Sequence, residues 1–95
     1  MTSLSTHVLD TGAGRPAADV AVSLRRGDET LAEARTDADG RARLADDLDP
    51  GVYSLVFHPP SPFFRRVELE VELGDGHHHV PLLVSPYSCA SYRGS

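Results

Sequence analysis

Three histidines lie where an extended backbone would aim them at shared surfaces: His7 near the start, and His77 and His79 near the end. Imidazole titrates near neutral pH, so each could take or give a proton under ordinary conditions. In an extended run, His77, His79, Pro81 and Leu83 fall on one face and Val80, Leu82 and Val84 on the other. The second set reads as the domain's own core. The first mixes imidazoles with apolar side chains, so it is either covered by another subunit or lines a site. Ser5, His7 and Leu9 form a similar face, and two such faces suggest proton chemistry at an interface. Each residue also has a plainer reading. A lone histidine in a strand is more often structural than catalytic. His77 and His79 could both reach one metal ion, but spacing supplies no third ligand. Arg41, two residues from Arg43, could sit on a solvated edge, and Tyr92 to Ser95 could be a frayed tail.

The elements that must hold these residues read as strands. Val67, Leu69, Val71 and Leu73 alternate with Arg66, Glu68, Glu70 and Glu72, a period of two with one wet face. Val20, Val22 and Leu24 alternate in the same way with Ala21, Ser23 and Arg25. Tyr53, Leu55 and Phe57 open a strand after the turn signal Pro50-Gly51, and Pro59-Pro60 ends it. Gly14-Arg15-Pro16 reads as a turn, and Asp37-Ala38-Asp39-Gly40 as a hairpin in which Gly40 supplies a positive φ. Gly74-Asp75-Gly76 separates the glutamate-rich strand from the histidine strand. Only Glu29 to Thr36 is ambiguous, since its alanines and glutamates also suit a helix. Short strands at this spacing predict an all-β sandwich or barrel.

Composition bounds the function. A chain of 95 residues predicts one domain, residues 1–95, burying roughly two-thirds of its unfolded surface. The single cysteine, Cys89, excludes an internal disulfide framework and fits a reducing, cytoplasmic setting. Thr6, His7 and Asp10 interrupt any apolar leader, so no signal peptide is expected. No run is long enough to span a membrane. A formal charge of −5 argues against a nucleic-acid partner, which would need a basic face.

Four separated motifs carry a resemblance. They are Leu4-Ser5-Thr6-His7-Val8-Leu9-Asp10-Thr11 with Gly14-Arg15-Pro16-Ala17-Ala18; Thr36-Asp37-Ala38-Asp39-Gly40-Arg41; His77 through Pro86; and the closing Tyr92-Arg93-Gly94-Ser95. Together and in this order they resemble the enzymatic branch of the transthyretin family, the 5-hydroxyisourate hydrolases. The resemblance runs the length of the chain. It implies a two-sheet transthyretin-like β-sandwich, a dimer of dimers, and sites in a channel between the dimers. Asparagine is more usual where Asp37 stands, and tyrosine where His78 stands. The family's short helix is expected to be absent, because only His58 to Phe64 connects two strands there and that segment is proline-rich. Its loss should threaten stability more than activity. Cys89 stands where an aromatic residue is common.

The resemblance also implies the site. It places His7, Arg41, His79 and the terminal Ser95 in one pocket, with Tyr92 shaping it. Hydrolysis of 5-hydroxyisourate needs a base for water, a stabiliser for the developing oxyanion and a proton for the leaving nitrogen. His7 and His79 are expected to form the acid–base pair, their order open. Arg41 suits a planar, oxygen-rich anion because its donors are fixed and paired. Ser95 offers a hydroxyl and the terminal carboxylate. No metal or other cofactor is expected. The rival readings are a thyroxine-carrying protein on the same sandwich, which lacks the His7, His79 and Tyr92-to-Ser95 combination, and an Ig-like interaction module. Such modules usually sit in larger secreted chains, whereas this chain is expected to be complete.

Overall fold

In the computed structural model, which describes residues 1–94, the first strand sets the pattern for the rest. From Thr2 to Asp10 (β1), Thr2, Leu4, Thr6 and Val8 are buried while Ser3, Ser5, His7 and Leu9 stay half-exposed. The other strands are β2 (Arg15–Pro16), β3 (Ala21–Arg26), β4 (Glu29–Arg35), β5 (Arg41–Leu48), β6 (Gly51–His58), β7 (Val67–Leu73), β8 (Gly76–Ser85) and β9 (Ser88–Ser91). They form two sheets. One runs β5–β1–β8–β9, with β2 beside the far end of β1; the other runs β4–β3–β6–β7. All pairings are antiparallel except β1 with β8. A parallel pair needs a long crossover, and here nearly the whole domain provides it. β1 and β8, from opposite halves of the sequence, therefore lie side by side in the middle of one sheet.

The core forms where the inner faces meet. Leu4, Val8, Leu82 and Val84 from one sheet pack with Val22, Leu24, Leu55 and Phe57 from the other. Buried Thr2 and Thr6 donate their hydroxyls to the carbonyls of Gly74 (2.7 Å) and Val80 (2.6 Å). These bonds satisfy two polar groups that would otherwise be costly to bury, and they lock β1 against β8. Among the described residues the sandwich contains no helix, and none is long and apolar enough to cross a membrane.

Glu29 to Arg35 resolves as a strand despite its helix-favouring composition. Pairing with β3 lets Ala32 and Ala34 pack against the core, so tertiary contact overrides propensity. The glutamate-rich strand begins at Val67 rather than Arg66, and its Val67, Leu69 and Val71 are only partly buried because β7 is a sheet edge. Cys89 is half-buried against the core, and burial pushes its thiol up, which keeps it protonated and unreactive.

The short connector after β6 is fastened by one serine. Ser61 donates its hydroxyl to the Pro86 carbonyl (2.9 Å) and accepts from the backbone N–H groups of Phe63 (3.1 Å) and Phe64 (2.9 Å). Phe63 then stacks edge-on against Phe64 and Tyr87. Ser61→Ala should lower stability by about 1 kcal/mol, read as a Tm drop of roughly 4–8 °C for a domain this size. Turnover per folded molecule should be unchanged, since the clasp sits on the β8–β9 turn, at the end of β8 away from His79. A Tm equal to wild type would show that the connector holds without Ser61.

Candidate active site

The outer face of the β5–β1–β8 ribbon collects the polar side chains that the core rejects. Parallel register sets Ser3 opposite His77, Ser5 opposite His79 and His7 opposite Pro81. On the other side of β1, antiparallel register sets His7 opposite Arg41 and Ser5 opposite Arg43. Strand alternation thus sends His7, Arg41 and His79 to one surface from three strands. The rings of His7 and His79 lie 6.4 Å apart, tilted by 45°. Between His79 and β5 is a depression of about 220 Å³, lined by Ser5, Asp37, Arg41, Arg43 and His79 among others but not by His7.

The turn before β5 fixes both Arg41 and His7. The Asp37 carboxylate accepts from the backbone N–H groups of Asp39 (2.9 Å) and Arg41 (3.0 Å), an acceptor role that asparagine could fill equally. The Asp39 carbonyl lies 2.8 Å from Nε2 of His7. A carbonyl can only accept, so His7 Nε2 carries a proton and donates it. Gly40 has φ +76°, and a Cβ there would sit 2.5 Å from the Val8 carbonyl oxygen and 3.0 Å from Pro16 Cβ. Gly40→Ala should therefore cost about 2–4 kcal/mol in denaturant unfolding, combining backbone strain with overpacking. A loss under a quarter of that would mean the turn yields easily.

His79 is held from two directions. Its Nδ1 lies 2.9 Å from Ser5 Oγ, and its backbone carbonyl accepts from the N–H of Gly94 (2.7 Å). Burial lowers its pKa below the ordinary 6.5, and repulsion from His7, Arg41 and His77 adds to that effect in turn. His79 is therefore neutral at pH 7, the form a general base needs.

The HIUase/transthyretin family profile matches residues 4–94. The chain belongs to that family. Among members of the HIUase/transthyretin family, a 5-hydroxyisourate hydrolase of Caulobacter vibrioides is 46% identical over 100% of both chains. That alignment spans 115 residues against 95 here, so gaps fall within it on this chain's side. The structure of Klebsiella pneumoniae 5-hydroxyisourate hydrolase superposes with a TM-score of 0.90 at 39% identity, covering 100% of each chain. Sea bream transthyretin in complex with thyroxine also superposes, at TM-score 0.84 and 26% identity, over 96% of this chain and 93% of that one. The all-β transthyretin-like sandwich expected from the sequence is the fold observed.

Of the residues singled out from the sequence, His7, Arg41 and His79 share one surface. Tyr92 is exposed and lines a second, larger groove of about 700 Å³ beside β7, together with Leu69, Val71, His78 and Val80. Ser95 lies outside the described residues. Three participants were not picked out as such: Ser5 as a partner of His79, the Asp39 carbonyl that sets the His7 tautomer, and Gly94 against His79. Ser5 shares the His7 face, so alternation alone could have flagged it. The other two act through backbone atoms, which side-chain patterns do not reveal.

Proposed function

We propose that this protein hydrolyses 5-hydroxyisourate to 2-oxo-4-hydroxy-4-carboxy-5-ureidoimidazoline in urate degradation. The observation that carries this reading is the convergence of His7, Arg41 and His79 from three strands onto one outer face. The 46% identity to a 5-hydroxyisourate hydrolase supports it. Residues 1–95 act as a single hydrolase domain, in the cytoplasm.

His79, neutral at pH 7, takes a proton from water as the oxygen attacks the substrate carbonyl. Arg41 holds the substrate's oxygens and stabilises negative charge as it develops. The C–N bond then breaks, and the histidine pair returns the proton to the leaving nitrogen. Ser95, through its hydroxyl or the terminal carboxylate, completes the substrate contacts. The scheme uses no metal, so turnover should survive exhaustive chelation. The outer face of His79 and Leu83 is covered by a second dimer in a tetramer, with paired sites in the channel between dimers. Light scattering that found a fully active monomer would remove the channel.

The test is the spectrophotometric decay of freshly generated 5-hydroxyisourate with and without protein. Acceleration proportional to protein concentration is expected. Decay at the uncatalysed rate, with a folded protein, would favour a carrier role like that of thyroxine-binding transthyretin.

A further inference from the structure

Two serines and two histidines on the outer face of β1 and β8 form a continuous hydrogen-bonded chain. Ser3 Oγ lies 2.7 Å from His77 Nδ1; His77 Nε2 lies 3.0 Å from Ser5 Oγ; and Ser5 Oγ lies 2.9 Å from His79 Nδ1. The parallel register that pairs Ser3 with His77 and Ser5 with His79 builds this ladder. It runs from Ser3 and exposed His77 to half-buried His79. His79 Nε2 has no hydrogen bond among the described residues, and that nitrogen is left to meet the reaction.

We propose that Ser5 and His77 are positioning residues that act through His79, forming a relay that sets its tautomer and shares the charge it gathers.

The proton inventory supports this. A neutral imidazole has one N–H and one lone pair, and a hydroxyl has one O–H and room to accept. In one setting His79 Nδ1–H donates to Ser5, Ser5 O–H donates to His77 Nε2, and His77 Nδ1–H donates to Ser3. Every link then has one donor and one acceptor, and His79 Nε2 presents a lone pair. When Nε2 takes the proton from water, the Nδ1 proton moves to Ser5 as the Ser5 proton moves to His77 Nε2. The positive charge then sits on His77, at the rim. Reversal restores the charge to His79 as its Nε2 proton passes to the leaving nitrogen, and no net proton is gained or lost. The chain relieves a specific difficulty. A cation on His79 would be poorly solvated and would face His7 from β1, Arg41 and Arg43 from β5 and His77 from its own strand, with Asp37 as the one described carboxylate in the depression.

This inference rests on His79 as the acid–base group, and the experiment separates the two. Ser5→Ala and His77→Gln should each lower kcat about 10- to 100-fold, the scale that partners orienting a functional imidazole carry, with KM little changed. Because both lie in one chain, the double variant should be no slower than the worse single one. Ser5→Thr, which keeps the hydroxyl, should recover most of the activity, and His78→Gln, on the opposite face, should match wild type. Nitrogen NMR of the rings should show His79 protonated on Nδ1 in the resting protein, with that preference weakened by Ser5→Ala. Losses that multiply in the double variant, or unchanged kcat with an unchanged tautomer, overturn the relay while leaving the site reading intact. If His79→Gln is itself fully active, the acid–base reading fails first.

Discussion

Replacing His79 with glutamine should lower the turnover of 5-hydroxyisourate by about a hundred- to ten-thousand-fold, the usual contribution of a general acid–base group. Glutamine can still reach Ser5 but cannot accept a proton at neutral pH, so the loss isolates proton transfer from packing. His7→Gln should fall in the same range, and the double variant should lose much less than the product of the two, because the histidines work as a pair. The pH profile gives a second reading. Burial, and then repulsion from His7, Arg41 and His77, lowers the His79 pKa, so the neutral base persists at more acid pH than a free imidazole would. The acid limb of kcat should accordingly fall below pH 6.5. Arg41→Gln removes one repelling charge, which lets the His79 pKa rise and should move the limb upward. Arg41→Lys keeps the charge, leaves the limb in place and weakens substrate binding by losing the paired donors. Full activity in both single histidine variants, or an acid limb unmoved by Arg41→Gln, would take proton transfer away from this pair.

What could be read from the sequence is what alternation encodes. Val80, Leu82 and Val84 point to the core and His79 points away, as period-two reasoning requires, and the same logic places His7 outside Val8. Four motifs in family order supplied the fold. That His7 and His79 meet depends on the parallel β1–β8 pairing, which no local pattern specifies, because its crossover is the rest of the domain. Glu29 to Thr36 is ambiguous for the opposite reason: its composition also suits a helix, and pairing with β3 makes Glu29–Arg35 a strand. The hydrogen bonds that select tautomers were beyond reach because they depend on which side chains share a register position. Ser5 illustrates this: alternation puts it on the His7 face, but only the β1–β8 register shows that it touches two histidines.

Gly94→Ala should reduce turnover by at least about a hundredfold, the cost of displacing a positioned group by roughly 1 Å, and should leave Tm close to wild type. The added Cβ would lie 2.8 Å from His79 Cδ2, 2.9 Å from the His79 carbonyl oxygen and 3.3 Å from His79 Cβ. Contacts below 3.0 Å force something to move. The carbonyl belongs to β8, which β1 pairs from Gly76 to Val84 and β9 from Leu82 onward, so the backbone of β8 stays and the tail gives way. That breaks the 2.7 Å bond from the Gly94 N–H and removes the tail's hold on His79. Stability should hardly respond, because Tyr92 and Arg93 are exposed and contribute nothing to the core. Deleting residues 93–95 should reproduce the same pattern, a folded protein that no longer turns over. The split between the two readouts is the point of the experiment. A core residue would lose both together, and a decorative tail would lose neither. Wild-type turnover in Gly94→Ala would show that the tail approaches His79 without serving the reaction.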